Sequence, residues 1–159
     1  RGHTITLREN KRNSYAIRCF AERLNGAKCP IEDARNKIHI VNADEQRVVD
    51  LLRNIAQRAQ GQTTALIGSV GHWMGVAARA QFPLRCPEET GFYAIGEMVG
   101  KGLEFDNVIV DYNRMIADDL AGEKRLRYVH FTRARRRLYI RYEGEPPELL
   151  RECYADFLG

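Results

Sequence analysis

The sequence predicts a three-layer α/β/α domain with a mostly parallel central sheet. Short apolar, β-branched runs alternate with helical patterns along the whole chain, which is typical of βαβ units. The length of 159 residues suits one domain, residues 1–159, with a single core. Hydrophobic residues make up 44% and charged residues 29% of the chain, which excludes disordered and fibrous classes. No apolar run approaches the roughly 20 residues of a membrane span.

Six short runs predict the strands of this sheet. They are Thr4–Leu7, Ile38–Val41, Thr64–Gly68, Gly91–Ile95, Asn107–Asp111 and Leu138–Tyr142. The first helix is predicted after the first strand, because Ile17, Phe20 and Leu24 recur at helical spacing. Gly26 supplies its stop signal.

The second helix is predicted from its start and stop signals, and the third from its helical spacing. Asn42 or Asp44 can cap the second helix, and Gly61 ends it. The third helix is predicted over His72–Ala80, where the spacing favours Trp73 as a core anchor rather than a platform for base stacking.

The last two helices begin with acidic residues and with prolines, respectively. Asp118 and Asp119 predict the start of a longer helix that runs through an arginine cluster, since acidic groups suit a helix N-terminus. Pro146 and Pro147 open the final helix. The cluster either faces phosphate or forms a solvated helix face, and it comprises Lys124, Arg125, Arg127, Arg133, Arg135, Arg136, Arg137 and Arg141.

Several classes of chemistry are disfavoured by residue spacing. Four cysteines stand far apart without a C-x-x-C pair, so we expect core thiols and no metal site; they are Cys19, Cys29, Cys86 and Cys153. Four histidines are equally scattered, with no sign of a nucleophile nearby. No secretory signal is recognised near Arg1, so a protein of a reducing, cytoplasmic compartment is expected. A net charge of +4 does not by itself identify a nucleic-acid binder.

Ligands of open parallel sheets bind at the carboxyl ends of strands. The loops to inspect therefore follow Leu7, Gly68, Ile95 and Asp111. A glycine cluster lies after the third of these positions, at Gly96, Gly100, Lys101 and Gly102. It is not a phosphate-binding P-loop, because it has three residues instead of four between the glycines and no Ser or Thr after the lysine.

Three segments resemble motifs of the UvrD/Rep/PcrA group of superfamily 1 DNA helicases. The segment KGLEFD at 101–106 resembles the fifth motif, and YVHFTRARRRLY at 128–139 resembles the sixth. The segment LRENKRNS at 7–14 is similar to the fourth, with Lys11 in place of the usual Tyr. The order of the three motifs, and the absence of a large insertion between the fourth and the fifth, imply a second RecA-like domain of the P-loop NTPase type. This layout is similar to that of the compact helicase IV and HelD-like relatives.

The resemblance implies nucleotide contacts. Arg12 and Arg133 would be arginine fingers that reach the γ-phosphate of ATP bound on a first RecA-like domain. Glu104 would accept a hydrogen bond from the ribose, and Gly102 would allow close approach of the backbone. The P-loop and the Mg²⁺ ligands would lie on that first domain. Alone, this chain is expected to be inactive.

The positions that contact single-stranded DNA in the family are altered here. Gly96 and Met98 stand where the fifth motif has Thr and His, and Gly68 stands where a phosphate-binding Arg is usual. Ser69 and Lys101 could still contact DNA. Two functions therefore stay open beside a generic Rossmann-like module: an ATP-driven DNA motor, and a motor-derived module that acts on a protein partner, such as RNA polymerase or a nuclease, with weak DNA binding.

Overall fold

A computed structural model describes residues 15–28, 36–83, 91–96, 103–112 and 119–158. Five parallel strands form the sheet: β1 (Ile38–Asn42), β2 (Thr63–Ile67), β3 (Gly91–Ile95), β4 (Phe105–Asp111) and β5 (Ala134–Tyr142). Their order across the sheet is β1-β5-β4-β2-β3. The predicted strand Thr4–Leu7 lies outside the described residues.

Helices cover both faces of this sheet, which confirms the three-layer prediction. They are α1 (residues 15–22), α2 (Glu45–Arg58), α3 (Val70–Ala80), α4 (Leu120–Phe131) and α5 (Glu148–Tyr154). Alternate side chains of each strand point to opposite faces. Leu66, Ile109 and Tyr139 pack with α2 and α3, whereas Val108 and Ile140 pack in the core with α1, α4 and α5.

The stop signal after α1 and the start signal of α2 operate as predicted, whereas α3 begins at Val70, two residues before its predicted start. Asp44 caps α2 by accepting a hydrogen bond from the Arg47 amide at 2.9 Å. Gly26 adopts a φ of 88° after α1 and its short 3-10 turn. Trp73 is fully buried in α3, as a core anchor should be. Within the described ranges, no helix is long and apolar enough to cross a membrane.

The predicted helix through the arginine cluster covers Lys124, Arg125 and Arg127, but the prediction is wrong beyond Phe131. Asp119 does cap α4, accepting from the Gly122 amide at 2.7 Å, but this helix ends at Phe131. β5 begins at Ala134, four residues earlier than the apolar run suggested. The register of the β4–β5 pair shifts at this point, so Arg135 and Arg136 both lie opposite Asp106 of β4, and its carboxylate is within reach of each. Asp118 lies outside the described residues.

Candidate functional site

Glu104 and Arg133 meet at the edge of the sheet where the strands begin. Phe105 and Ala134 are partners in the parallel pair of β4 and β5, so the residues before them are neighbours. The amide of Phe105 donates a hydrogen bond of 2.8 Å to the carbonyl of Arg133. We call this rim the amino edge, and it comprises Glu104, Asp106, Arg133, Arg135 and Arg136. It lies opposite the rim where the general rule for parallel sheets places ligands.

The side chain of Arg133 is half-buried against the last turn of α4. Its Nε donates to the carbonyl of Val129 at 3.0 Å, and its Nη2 donates to Oγ1 of Thr132 at 3.1 Å. Across the described ranges, Nη1 of Arg133 has no hydrogen-bond partner. The guanidinium is therefore anchored by one edge and keeps donors for an anion.

Asp106 neutralises part of the arginine cluster. Its Oδ2 accepts a hydrogen bond from the Thr63 amide at 2.9 Å. Its Oδ1 lies 3.2 Å from Nη2 of Arg135 and 3.4 Å from Nε of Arg136. Both arginine side chains remain about half exposed, at 46% and 52%. These two arginines are thus surface groups that share one carboxylate.

Only part of the predicted nucleotide set can be placed. Glu104 is exposed and lies beside the backbone of Arg133. Arg12 and Gly102 lie outside the described residues, as do Met98 and Lys101 of the predicted DNA set. The backbone therefore brings an exposed acidic residue next to an arginine that keeps donors available for an anion.

The remaining predicted DNA contacts lie at the opposite rim, where the strands end. Gly68 and Ser69 follow β2, and Gly96 follows the neighbouring strand β3. The amide of Gly68 donates to the carbonyl of Ile95 at 3.2 Å, which brings the two loops together. We call this rim the carboxyl edge, and it comprises Gly68, Ser69, Gly96, Asp111 and Arg141.

The carboxyl edge has no room for a side chain at position 68. Gly68 has a φ of 147°, a conformation that L side chains rarely adopt. A Cβ there would lie 3.0 Å from Cβ of Asp111 and 3.1 Å from Nε1 of Trp73. Nε1 of Trp73 is itself fixed, because it donates to the carbonyl of Ile67 at 3.0 Å. The hydroxyl of Ser69 caps α3, accepting from the His72 amide at 3.3 Å.

A buried ion network that the sequence analysis missed fills the same rim. Arg141 is fully buried, with Nη1 3.1 Å from Oδ1 of Asp111 and Nε donating to the Ala43 carbonyl at 2.8 Å. His72 lies between Oδ2 of Asp111, at 3.1 Å, and Oε1 of Glu45, at 2.7 Å. Asp111 and Arg141 are partners in the β4–β5 register. Pairing these two predicted strands in register would have revealed the contact.

Arg127 also leaves the predicted cationic surface. It is buried in α4, and its guanidinium carbon lies 3.8 Å from the centre of the Tyr112 ring. Tyr112 donates a hydrogen bond to the buried carboxylate of Glu123. Burial raises the pKa of Tyr112, so the phenol stays protonated. Arg127 and Arg141 are thus internal structural groups, and the expectation that the whole cluster faces phosphate or solvent is wrong for both.

Cysteine and metal chemistry have little support in the described part of the chain. Cys19 is buried and Cys153 is partly buried, and burial raises the pKa of the Cys153 thiol. No group of three or more His, Cys, Asp or Glu side chains in the described ranges could hold a metal ion. Cys29 and Cys86 lie outside those ranges.

One solved structure with a similar fold is described as the C-terminal domain of a possible DNA helicase from Lactobacillus plantarum WCFS1. The two chains superpose with a TM-score of 0.62 at 23% sequence identity, over 89% of this chain and 92% of that one. This likeness supports the α/β/α fold over nearly the whole length of both chains. No protein-family model matches this chain, and no curated protein matches it.

Proposed function

We propose that this chain is the second RecA-like domain of an ATP-dependent superfamily 1 DNA helicase or translocase. Its motifs favour the UvrD/Rep/PcrA group and, within it, a compact type similar to helicase IV and HelD-like proteins. The observation that carries the proposal is the meeting of Glu104 and Arg133 at one edge of the sheet. They come from two motifs about 30 residues apart, and the fold makes them neighbours.

In this proposal the amino edge faces ATP that is bound on a P-loop domain. We call the two domains together the motor. Arg133 contacts the γ-phosphate, where a planar and permanently charged guanidinium matches the charge that develops during phosphoryl transfer. Glu104 accepts a hydrogen bond from the ribose. Arg12 and Gly102, outside the described residues, are proposed to complete the contacts.

Magnesium chelation is assigned to the P-loop domain. Mg²⁺ is held in such motors by a hydroxyl and an acidic group beside the phosphates. Glu104 is exposed and Asp106 is committed to Thr63 and two arginines, so neither belongs to an acidic cluster in the described ranges. This domain therefore supplies cations to the nucleotide and not the metal site.

A second candidate function follows from the carboxyl edge. Gly68 cannot carry a phosphate-binding side chain, and the nearby arginine Arg141 is buried with Asp111. Weak contact with single-stranded DNA is proposed through Ser69 and Gly96 of this edge, together with Met98 and Lys101, which lie outside the described residues. The alternative is a module in which ATP-driven closure acts on a protein partner, such as RNA polymerase or a nuclease.

The test of the proposal is Arg133→Ala in the motor. ATP binding should stay nearly intact, because the P-loop domain provides most of it, while hydrolysis should fall by roughly 10³-fold or more. Arg125→Ala is the matched control, since Arg125 is an exposed arginine of α4, the helix that ends just before Arg133. Normal turnover in the Arg133 variant would remove this residue from the nucleotide site.

The 159-residue chain by itself should hydrolyse no ATP, because its sequence contains no P-loop. Phosphate release should stay at background and should rise only when the P-loop domain is added. Turnover that survives repurification of the chain would contradict its assignment as half of a motor.

A further inference from the structure

The hydroxyl of Thr132 holds one edge of the Arg133 guanidinium. Thr132 Oγ1 accepts from Nη2 of Arg133 at 3.1 Å, beside the bond from Nε to the Val129 carbonyl at 3.0 Å. Nε and Nη2 form the lateral edge of the guanidinium plane. The terminal fork, formed by Nη1 and the second hydrogen of Nη2, is the part that these two bonds leave available.

Thr132 is itself fixed by the end of α4. It follows the last residue of that helix, and its hydroxyl donates to the carbonyl of Tyr128 at 2.8 Å. A threonine has few side-chain rotamers because it is branched at Cβ. With its proton committed to the helix, Oγ1 presents lone pairs to Arg133. The orientation of the guanidinium is thus set by α4 and not by the arginine alone.

We infer that Thr132 is a positioning residue for the phosphate contact of Arg133, an inference that rests on the proposed function. An unanchored arginine samples many rotamers and loses that freedom when it engages a phosphate. Anchoring the lateral edge in advance reduces this loss and directs the terminal fork to one place. Thr132 touches neither nucleotide nor Mg²⁺ and acts through Arg133.

The first test measures the anchor in the 159-residue chain, without any nucleotide. Nitrogen NMR of the Arg133 side chain should show slow rotation about its Nε–Cζ bond. Thr132→Val keeps the shape of the side chain but removes the acceptor oxygen, so it should accelerate this rotation. Thr132→Ser keeps the hydroxyl and should leave the rotation slow. Equal rotation rates in all three proteins would overturn the inference. Thermal melts of the same samples establish that each variant is folded.

The second test measures the consequence in the motor. Thr132→Val should lower kcat by about 10-fold to 100-fold, the loss expected when a catalytic group is misplaced. KM for ATP should change by less than about threefold, because Thr132 does not contact the nucleotide. Thr132→Ser should restore most of kcat. A change confined to KM, or no rescue by Ser, would contradict a positioning role.

A double variant separates this inference from the proposed function. In an Arg133→Ala background, Thr132→Val should have no further effect, because no guanidinium remains to be positioned. An undiminished effect there would mean that Thr132 acts through helix stability, and it would overturn the inference. If Arg133→Ala abolishes hydrolysis while Thr132→Val is fully active, only the inference fails. If Arg133→Ala is itself fully active, the proposed nucleotide contact of Arg133 fails and takes the inference with it.

Discussion

The two rims of the sheet hold their arginines in opposite ways. At the amino edge, Arg133 is half-buried with one guanidinium edge anchored, and Arg135 and Arg136 are about half exposed. At the carboxyl edge, Arg141 is fully buried, and its three nitrogens are bonded to the Ala43 carbonyl and to the carboxylates of Asp111 and Glu143. The amino edge keeps guanidinium donors available to a ligand, whereas the carboxyl edge uses those of Arg141 in hydrogen bonds within the protein.

This difference decides which arginines can bind phosphate. A surface arginine exchanges one partner for another at little cost, because its ion pairs are weak. A buried arginine cannot leave its carboxylate without exposing an unpaired charge to a nonpolar interior. A run of basic residues in the sequence is therefore not one phosphate-binding surface. In this domain the fold turns part of it into core.

The largest effect should come from breaking the carboxyl edge. Arg141→Met should reduce the free energy of unfolding by about 3 kcal/mol or more, because it leaves Asp111 buried without its cation. Asp106→Asn, at the amino edge, should cost less than about 1 kcal/mol, because its arginine partners are half exposed. Urea denaturation of both variants measures the two values. Equal losses would show that the rims do not differ as described.

A pair of glycine substitutions tests whether the carboxyl edge has room for a side chain. Gly68→Ala should cost about 2 kcal/mol, because its φ of 147° is strained for alanine and its Cβ would press on Asp111 and Trp73. Gly96→Ala should cost little, since a Cβ there meets no atom of the described residues within 4 Å. Thermal melts compare the two. A well-tolerated Gly68→Ala would show that this rim can accept a side chain and could regain a phosphate contact.

Binding of single-stranded DNA should be weak in the unmodified chain and should strengthen in Asp106→Asn. Removing this carboxylate frees Arg135 and Arg136. Each phosphate contact contributes about −0.7 to the log–log salt slope for single strands, so two new contacts should steepen it by about 1.4. Titration of a labelled oligonucleotide at several salt concentrations measures this slope. Changing both arginines to Gln in the same background is the control and should abolish the gain.

Tight binding with a steep slope in the unmodified chain, lost when Arg135, Arg136 and Arg137 are neutralised, would contradict this account of the arginine cluster. The path of the strand would then cross the amino edge. The plain DNA-motor function would gain support over the protein-partner module.

The smallest expected effect is a pH dependence near the amino edge. Tyr128, in the last turn of α4, donates a hydrogen bond of 2.7 Å to Glu22, which lowers the pKa of that carboxyl below its ordinary 4.5. A carboxyl group whose pKa is lower in the folded state stabilises the fold at any pH above its unfolded-state pKa. This stabilisation is lost as the pH falls through the folded-state pKa. Tyr128→Phe should therefore cost a few tenths of a kcal/mol at pH 7, since Glu22 is only partly buried and solvent screens its charge.

Melts of Tyr128→Phe and the unmodified chain from pH 7 to pH 3 measure this difference. The two stabilities should converge as pH falls below about 4.5. A gap that does not change with pH would mean that the Tyr128 hydroxyl stabilises the fold through something other than the ionised carboxylate.

Local sequence signals predicted most of the fold, and the places where that prediction failed have a physical cause. Asp44, Asp119 and Gly26 act within a few residues of themselves, so their roles can be read from neighbouring sequence. The early start of β5 could not be predicted from neighbouring sequence. Arg135 and Arg136 look like a solvated helix face until Asp106 of another strand is placed beside them. Tertiary contact overrides local propensity there.

The candidate site shows the same limit. Motif resemblance identified Arg133 and Glu104, and their adjacency depends only on pairing the starts of two parallel strands. The Arg141–Asp111 pair belongs to no motif, and charge alone favoured exposure of Arg141. Its burial becomes visible only when the ends of β4 and β5 are placed in register. The burial of charged side chains is therefore what the sequence order failed to predict, whereas the nucleotide contacts of Glu104 and Arg133 stay predictions.

Hydrogen exchange of the motor, with and without a nonhydrolysable ATP analogue, tests the central claim most directly. The claim is that the amino edge faces the nucleotide and that the carboxyl edge does not. ATP-dependent protection should appear in peptides that cover residues 103–106 and 129–136, and it should be absent over residues 68–74. Protection over 68–74, with no change at the amino edge, would contradict the account.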